Sequence, residues 1–501
     1  MKYILAIDQG TSSTKSVVFD EEGKVVATGH EILNTQYFDN GYVEQNAAEI
    51  IENVRASVRK CLTVCLNSGL QLTDIVACGI SNQRETFVLW DKDGHALSPA
   101  IVWACKRSVE ICKTLIEGGQ NDVVKSKTGL IVDPYFSATK LIHFLESRPD
   151  LKKKVEAEEV YFGTIDTWLL YHFTGGKAFK TDHTNAHRTL LFNINELVWD
   201  QELLHKWGLS SLNLPEVLPS ASSFGQLDFA FIDNRFEGVC EIASMIGDSH
   251  AATFGEGCFE KGTAKVTMGT GSSIMVNTGK QIANSNHGLL TTICYSTNSG
   301  VNYALEGSIV ACGSTIEWLK NELNLFENAA DTEKMAESID DNGGVYLIPA
   351  FSGLGAPHWQ MDRKASIEGL TFGTTKNHIV RAALESIPFQ INDVISAVNS
   401  DLGFEIQSIA VNGGISKNKF VLTYLVNLLG ITLNKLSNAD ISAYGAACLA
   451  GLKIGLFLNI EKIQEINLKN SQQIHPTAKW HPVQMEYEVW KKKIIEYKRN
   501  Y

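Results

Sequence analysis

The sequence predicts an α/β protein made of two similar domains that face a shared cleft. The chain has 501 residues, more than one ordinary domain contains. Runs rich in β-branched residues alternate with helix-like stretches, a pattern typical of sheets with mainly parallel strands covered by helices. One unusual hairpin-like pattern also occurs twice, near residue 10 and near residue 270. Together, the length, the alternation and the repeat favour two domains of the same kind.

Each copy of this hairpin pattern places small polar residues between two apolar runs. In the first, ILAIDQGTSSTKSVVFD (residues 4–20), eight polar or small residues separate the runs, whereas a plain hairpin needs two. The second is TAKVTMGTGSSIMVN (residues 263–277). Backbone N–H groups at glycine-containing turns, with Ser and Thr hydroxyls, form donor sites for phosphate oxygens. One copy alone would favour a surface hairpin that merely carries polar residues, but two copies favour phosphate binding.

The first half of the chain predicts strands that end in polar segments. The strand at 75–80 runs into Asn-Gln-Arg-Glu (82–85), and the strand at 242–246 delivers Gly-Asp-Ser (247–249). Ligands of α/β proteins gather at the carboxyl ends of parallel strands, so both segments are candidate site residues. Mixed, mainly helical sequence between about 100 and 235 indicates an insertion. The other elements predicted here are strands at 25–32 and 86–90 and a helix at 47–66.

The second half begins again with the second hairpin. It then alternates predicted strands with helices, and the strand at 408–411 leads into Asn412-Gly413-Gly414. No linker rich in Pro, Gly and Ser separates the halves, so we expect a tight interface or hinge near residue 250, with domains at 1–254 and 255–501. The remaining predicted elements are strands at 301–305 and 344–349 and helices at 314–323 and 377–398.

Composition and charge disfavour several classes of function. The 44 basic and 56 acidic residues give a net charge of -12, which repels nucleic acid and anionic lipid surfaces. No apolar run reaches the roughly 18 residues that span a bilayer, and the apolar stretch from Tyr3 to Ile7 is shorter than we expect of a signal peptide. The ten cysteines form no Cys-x-x-Cys pair, so neither a zinc site nor a disulfide framework is indicated. We therefore expect a cytoplasmic protein without nucleic-acid partners or membrane insertion.

Several motifs, taken together with the first hairpin, resemble the FGGY family of carbohydrate kinases. The resemblance covers essentially the whole chain, and Asn-Gln-Arg-Glu at 82–85 is specific for the branch that phosphorylates glycerol. The segment from Ala-Ser-Ile-Glu-Gly-Leu at 365–370 to Ala-Ala-Leu-Glu at 382–385 matches the family's second signature. The other similar segments are 134–137, 181–186, 247–248, 288–292, 304–307 and 353–357.

The resemblance implies a fold, a reaction and its substrates. The fold is two ribonuclease H-like (actin-like ATPase) domains flanking a catalytic cleft, with the polyol and the catalytic base in 1–254 and the nucleotide in 255–501. The reaction is ATP-dependent phosphorylation of glycerol to sn-glycerol 3-phosphate, with ATP and Mg²⁺ bound. A homo-oligomer, dimer or tetramer, is left open, because the sequence does not fix the oligomeric state.

The resemblance also assigns roles to residues of this chain. Asp248 is the expected general base, and Asp8 is the expected residue for Mg²⁺. The expected substrate-binding residues are Arg84, Glu85, Trp103, Tyr135, Asp248 and Ser249. The expected nucleotide-binding residues are Thr11, Ser12, Ser13, Lys15, Thr270, Gly313, Gly414 and Asn418.

The polyol assignment also agrees with elementary chemistry. A polyol presents neighbouring hydroxyls, so its site needs acceptors such as Glu85 and Asp248 and a multi-headed donor such as Arg84. The ordinary alternative is that Arg84 and Glu85 form a solvated charge pair. For Asp248, the ordinary alternative is an N-cap of a helix that starts near Ala251.

The chain departs from the family pattern at two expected pocket positions. Ser249 stands where the family usually has Gln, and Ser273 stands where it usually has Phe. Loss of an aromatic wall forfeits on the order of 1–3 kcal/mol of apolar contact with a three-carbon substrate. A polyol or sugar of four or five carbons is therefore an alternative substrate. In addition, Lys15 stands where the family usually has Arg. Its ammonium group is a point charge, whereas the guanidinium group of Arg is planar and carries several N–H donors.

A second functional class shares the paired phosphate hairpins. An actin- or Hsp70-like ATPase would use them for conformational switching and would need no polyol. The Asn-Gln-Arg-Glu segment, Trp103, Tyr135 and Asp248 argue against that reading, because together they resemble a polyol pocket.

Overall fold

The computed structural model describes residues 1–360, 362–438, 440–477 and 480–500. Within these residues, two large sheets and four smaller ones are linked by helices. No helix in this described part combines the length and the apolar character needed to cross a bilayer.

Strands and helices alternate along the chain. The strands are β1 Tyr3–Gln9, β2 Ser13–Phe19, β3 Val25–Ile32, β4 Gln36–Tyr37, β5 Val43–Gln45, β6 Ile75–Asn82, β7 Phe87–Trp90, β8 Ala100–Ile101, β9 Tyr161–Thr164, β10 Lys180–Asp182, β11 Phe192–Asn193, β12 Val198–Trp199, β13 Glu216–Leu218, β14 Gly225–Asp228, β15 Val239–Gly247, β16 Thr263–Met268, β17 Ser272–Gly279, β18 Leu290–Thr297, β19 Gly300–Ile309, β20 Tyr346–Ile348, β21 Ser366–Glu368, β22 Ser408–Asn412, β23 Leu433–Leu436 and β24 Ser471–Ile474. The α-helices are α1 Ala47–Asn67, α2 Val109–Glu117, α3 Gln120–Thr128, α4 Ser137–Ser147, α5 Pro149–Glu156, α6 Ile165–Phe173, α7 His183–His187, α8 Gln201–Lys206, α9 Phe229–Ile232, α10 Asp248–Gly255, α11 Gly313–Asn321, α12 Asp331–Glu337, α13 Lys376–Leu402, α14 Lys419–Leu429, α15 Ile441–Lys453, α16 Ile460–Lys469 and α17 Trp480–Asn500.

The first large sheet has the strand order β14-β15-β6-β1-β2-β3. Central strand β1 pairs antiparallel with β2 and parallel with β6. The pairing continues antiparallel from β2 to β3 and parallel from β6 to β15. The carboxyl ends of β1, β6 and β15 therefore meet at one edge of the sheet, where they bring Asp8, Asn82 and Gly247 together.

The second large sheet repeats this pattern. Its order is β18-β19-β17-β16-β22-β23-β24. Central strand β16 pairs antiparallel with β17 and parallel with β22, while β17–β19 is antiparallel and β22–β23 is parallel. Five strands of each sheet thus share one topology, and the predicted fold class is confirmed.

A shared apolar core, rich in alanine, joins the two halves. Helices α10 and α15 pack in it against residues of both large sheets, including Ile4, Ala6, Met275 and Ala304. The two helices approach so closely that a Cβ at Gly445 would lie 1.8 Å from the carbonyl oxygen of Ala251. Because α15 comes from the second half of the chain and packs on the first sheet, the boundary between residues 254 and 255 stays a prediction.

The insertion between residues 100 and 235 supplies one wall of the cleft. It contains helices α2 to α9 and most of the short strands, and it has an apolar core of its own. This core holds Tyr135 half-buried and Phe136 fully buried at the start of α4. The insertion therefore places Tyr135 against Arg84, which follows β6.

The first hairpin is tighter than the sequence indicates. The expected eight-residue polar turn is wrong, because β1 extends to Gln9 and β2 starts at Ser13, which leaves three residues, 10–12. Among the polar residues of β2, Lys15 is exposed, whereas Ser16 faces helix α1. Ser16 is fully buried, and its Oγ lies 2.9 Å from the Oγ of Ser57 in α1.

We predict that Gly445→Ala destabilises the protein by about 1–3 kcal/mol, because the new methyl group overpacks the contact between α10 and α15. Urea unfolding followed by circular dichroism measures the change. Gly373→Ala is the matched control, since a Cβ there would lie 3.7 Å from its nearest neighbour, the Oγ1 of Thr371. Equal unfolding midpoints for the two variants would contradict the close crossing of the helices.

Candidate functional site

Four charged side chains form a buried network beyond the carboxyl end of β6. Arg84 Nη1 donates to Glu306 Oε1 at 3.0 Å, and Arg84 Nη2 donates to the Tyr135 hydroxyl at 3.3 Å. Arg188 donates through Nε to Glu85 Oε1 and through Nη1 to Glu306 Oε2, both at 2.5 Å. None of the four charged side chains is more than 6% exposed. Two positive and two negative charges therefore balance one another where water is excluded.

This network crosses from one half of the chain to the other. Glu306 lies in β19 of the second sheet, whereas Arg84 follows β6 and Arg188 follows α7. Burial raises the pKa of Glu306, but Arg188 and Arg84 outweigh burial and hold the pKa of this carboxyl well below its usual range. Glu306 is therefore ionised and ties both arginines to the second half.

Glu85 adopts a strained backbone conformation. Its φ of 61° lies in the left-handed region, which is costly for a residue with a Cβ. Ser137 Oγ donates to the Glu85 carbonyl oxygen at 2.7 Å and helps to hold this conformation. Because Arg84 and Glu85 are both buried and pair with other residues, a solvated charge pair between them is the wrong reading.

The expected polyol pocket is lined by Arg84, Trp103, Tyr135, Asp248 and Ser249. The Trp103 and Tyr135 rings meet edge to face with 5.6 Å between centroids. Arg84 Nε lies 3.3 Å from Asp248 Oδ1, and the Asp248 side chain is 39% exposed. The structure thus brings an accessible carboxylate, a buried guanidinium and an aromatic wall to one place.

Asp248 is the first residue of α10 and not its N-cap. Gly247 occupies the cap position, so the expected helix start near Ala251 is wrong. The Ser249 N–H donates to Asp248 Oδ1 at 2.6 Å, and Ser249 is half-buried beside it. Ser442 Oγ of α15 donates to the Asp248 carbonyl oxygen at 3.2 Å. The carboxylate is therefore held at the end of β15 with its second oxygen free of hydrogen bonds within the described residues.

Asp8 lies at the carboxyl end of β1, near Asp248. Ser81 Oγ donates to Asp8 Oδ1 at 2.9 Å. Burial, and then the negative charges of Asp248 and Asp440, raise the pKa of Asp8 to about 7. Carboxylates that repel each other in this way are the hard oxygen ligands that a divalent cation prefers, so Asp8 fits Mg²⁺.

The first hairpin brings its candidate phosphate ligands to the same edge. Thr11 Oγ1 accepts a hydrogen bond from Trp103 Nε1 at 2.9 Å, which joins the hairpin to the polyol pocket. Ser12 is exposed and Ser13 is half-buried. Lys15 is half-exposed, and its Nζ lies 2.7 Å from Asp440 Oδ1 at the start of α15.

The second hairpin packs against the start of α11. The Thr270 carbonyl oxygen accepts hydrogen bonds from the N–H groups of Cys312 and Ser314, both at 3.0 Å. Gly313 N–H donates to the Gly269 carbonyl oxygen at 2.9 Å, and a Cβ at Gly313 would lie 2.6 Å from that oxygen. The structure therefore brings Thr270 and Gly313 together.

The strand end at β22 meets the same hairpin. Gly413 has a φ of 92°, and a Cβ there would lie 2.4 Å from the Met268 carbonyl oxygen. A Cβ at Gly414 would have no neighbour within 4 Å, which leaves its backbone open to a ligand. Asn418 caps α14, since its side chain accepts from Val421 N–H at 3.1 Å.

Two further buried titratable residues, Lys265 and Glu256, lie in the second half of the chain, and Lys265 contacts Ser273. Burial lowers the pKa of Lys265 to about 8 and raises the pKa of Glu256 to about 7. Lys265 Nζ donates to Ser273 Oγ at 3.4 Å, and Asn412 Nδ2 donates to Glu256 Oε1 at 2.8 Å. Ser273 is itself half-buried. A polar group therefore stands where the family pattern has an aromatic ring.

Sequence reasoning missed Arg188 and Glu306. Glu306 lies in the segment 304–307, which resembles the family but had no assigned role. Arg188 follows the segment 181–186 and had no signal of its own. The two residues are 118 positions apart, so only the folded chain brings them together.

The chain is similar to known proteins of one family over nearly its whole length. The model of the FGGY family N-terminal domain matches residues 3–255, and that of the C-terminal domain matches residues 264–454. A glycerol kinase of Halothermothrix orenii is 42% identical over 98% of both chains, and one of Bacillus subtilis is 43% identical over 92% of both. The crystal structure of Plasmodium falciparum glycerol kinase with ADP has a TM-score of 0.93 at 33% identity, covering 99% of this chain and 98% of that one. A xylulose kinase of Lactobacillus acidophilus, at 22% identity and a TM-score of 0.87 over 99% and 98% of the two chains, shares the fold.

We predict that Asp8→Asn stabilises the protein at pH 8. The folded-state pKa of Asp8 is raised from 3.8 to about 7, so the ionised carboxylate destabilises the fold above pH 7 and has no effect below about pH 4. The free energy of unfolding should rise by about 1–3 kcal/mol at pH 8, allowing for screening of the half-buried group, and the gain should vanish as the pH falls towards 4.

Urea unfolding at several pH values measures this gain. Asp39→Asn is the control, because Asp39 is exposed. A gain that is the same at pH 8 and pH 4 would mean that the charge of Asp8 is not its cause.

Proposed function

The chain belongs to the FGGY family of carbohydrate kinases, and we propose that it transfers the γ-phosphoryl group of ATP to glycerol, giving sn-glycerol 3-phosphate. The observation that carries the proposal is the convergence of Asp248, Arg84, Trp103 and Tyr135 beside the first hairpin. Relatives that match nearly the whole chain are glycerol kinases. These relatives argue against the alternative of an actin- or Hsp70-like ATPase without a polyol substrate.

Substrate recognition follows from the donors and acceptors left free in the pocket. A guanidinium has five N–H donors, and Arg84 makes two hydrogen bonds and one ion pair. Its remaining donors can bind substrate hydroxyl oxygens, while Asp248 and Ser249 can accept hydroxyl protons. The Trp103 ring supplies an apolar surface for the carbon chain. A pocket of this kind rejects analogues that lack a hydroxyl, because its polar groups would be left unpaired.

Asp248 acts as the general base. Its carboxylate removes the proton of the attacking hydroxyl as that oxygen bonds to the γ-phosphorus of ATP, and the bond from phosphorus to the departing ADP oxygen breaks. Phosphoryl transfer has a loose transition state, so the alignment of the two oxygens matters more than a strong base. The short hydrogen bond from Ser249 N–H supports this role, because it fixes one carboxylate oxygen and leaves the other for the substrate.

Mg²⁺ is proposed at Asp8. When bound, the ion would neutralise charge on the phosphates and orient them. Asp8 would hold the ion through water. The raised pKa of Asp8 supports this site, because a nearby cation would stabilise the ionised carboxylate.

The nucleotide is proposed to lie between the two hairpins. Thr11, Ser12, Ser13 and Lys15 would bind the phosphates from the first half, with Lys15 exchanging Asp440 for a phosphate oxygen. The proposed contacts from the second half are Thr270 and Gly313 on the ADP side and Gly414 and Asn418 against adenosine. A dimer or tetramer and a cytoplasmic location remain predictions.

We predict that Asp248→Asn retains ATP binding but lowers glycerol-dependent ADP release by about 10²–10⁴-fold, since the base is removed and the shape is kept. A coupled ADP assay and calorimetric titration with ATP measure the two effects. Asp340→Asn, an exposed position, is the control. Wild-type turnover in Asp248→Asn would remove Asp248 from the role of base.

The second candidate function is a kinase of a longer polyol, which the small Ser249 and Ser273 above Lys265 favour. We predict that kcat/KM for glycerol exceeds that for four- and five-carbon polyols, because Arg84, Glu85, Trp103 and Tyr135 all remain. ADP release across a panel from glycerol to pentitols decides between the two. A higher kcat/KM for a tetritol or pentitol would make the longer polyol the substrate.

A further inference from the structure

Lys140 is a fully buried lysine whose ammonium group lies among backbone carbonyl oxygens. It belongs to α4 and is 0% exposed. Its Nζ lies 2.7 Å from the carbonyl oxygen of Pro134, 2.6 Å from that of Tyr135 and 2.9 Å from that of Phe136. A fourth carbonyl oxygen, that of Trp103, lies 3.5 Å away. No carboxylate takes part in these contacts.

Four carbonyl oxygens that converge in this way need a group with several hydrogen-bond donors between them. Their dipoles point at one another and would repel without the positive charge. An ammonium group has three N–H donors, so it can satisfy the three short contacts fully and attract the fourth oxygen. Lys140 therefore holds together two stretches of chain that are more than 30 residues apart, one ending at Trp103 and one running from Pro134 to Phe136.

Both stretches carry side chains of the polyol pocket. The rings of Trp103 and Tyr135 meet edge to face, and the Tyr135 hydroxyl accepts a hydrogen bond from Arg84. Trp103 Nε1 in turn donates to Thr11 of the first hairpin. The ammonium group of Lys140 contacts the backbone of both Trp103 and Tyr135, and through these backbone atoms it fixes the positions of the two rings.

We propose that Lys140 is a positioning residue for the polyol, one that fixes Trp103 and Tyr135 at the distance the substrate needs. This inference rests on the proposed function. A purely structural lysine would affect stability alone, whereas a positioning lysine controls KM for the polyol separately from the nucleotide.

The charge of Lys140 responds to pH in the neutral range. Burial lowers the pKa of Lys140 to about 7, while Glu85 and Asp133 favour its protonated form and Lys106 opposes it; Cys105 also faces it. The ammonium group therefore loses its proton as the pH rises above 7, and the hold on the carbonyl oxygens weakens. KM for glycerol should rise from pH 6 to pH 8.5 while KM for ATP changes less.

The test compares Lys140→Met with Leu62→Ala in ADP-release assays that vary glycerol and ATP separately. Leu62 is the control, because it is fully buried in helix α1 and packs in the core of the first sheet, not in the core that holds Tyr135. Lys140→Met should raise KM for glycerol about 10–100-fold, as a small misplacement of a positioning group does, and leave kcat and KM for ATP within about threefold. Leu62→Ala should lower the thermal midpoint and leave KM for glycerol unchanged.

Lys140→Arg provides a second test, which remains informative if the Lys140→Met variant does not fold. Arginine keeps its charge throughout, so KM for glycerol in this variant should not rise between pH 6 and pH 8.5 as it does in the wild type. A wild-type KM for glycerol in Lys140→Met, an equal rise in Leu62→Ala, or the same pH profile in Lys140→Arg would each overturn the inference. If the wild-type protein releases no ADP with glycerol, the proposed function itself fails, and that result is distinct.

Discussion

Glu306 accepts hydrogen bonds from Arg84 and Arg188, and the rest of the site depends on this contact between the halves of the chain. Removing one partner of a buried pair costs about 3–5 kcal/mol, because the other charge is left uncompensated. Arg84 therefore keeps its position, between Tyr135 and Asp248, only while the second sheet holds Glu306 against it. The proposed polyol pocket belongs to the first half by sequence, but its central donor, Arg84, is fixed from the second half.

The packing of the two sheets makes this contact possible. Helices α10 and α15 cross between the two large sheets, with glycine and alanine at the crossing. These small residues let β19 of the second sheet approach the end of β6 in the first. Asp248 begins α10, and Ser442 near the start of α15 donates to its carbonyl oxygen, so the same pair of helices also positions the proposed base. A change in the angle between the halves would alter Arg84, Asp248 and the two hairpins together. Closure of the cleft on its substrates can then be coupled to assembly of the site.

The fold and part of the site could be predicted from the sequence. Alternating elements and a repeated hairpin indicate two similar α/β units, and the polar segments after β6 and β15 mark the sheet edge where ligands bind. The prediction of an eight-residue turn was wrong because Ser and Thr can also occupy a strand that packs on a helix. Ser16 of β2 is buried in this way against Ser57 of α1. Arg188, Glu306 and Lys140 could not be found in this way. Their partners lie on other elements, up to 222 residues away in the case of Glu306 and Arg84, and a lysine in an amphipathic helix usually faces solvent.

The most direct test of this account is calorimetric titration of Glu306→Gln with glycerol and, separately, with ADP. The amide keeps the shape of the side chain but removes its charge, so Arg84 and Arg188 lose the group that holds them. We expect glycerol to bind at least about tenfold more weakly than to the wild-type protein, a loss of about 1.4 kcal/mol or more, while ADP binding is retained. Wild-type affinity for glycerol in Glu306→Gln would contradict this expectation.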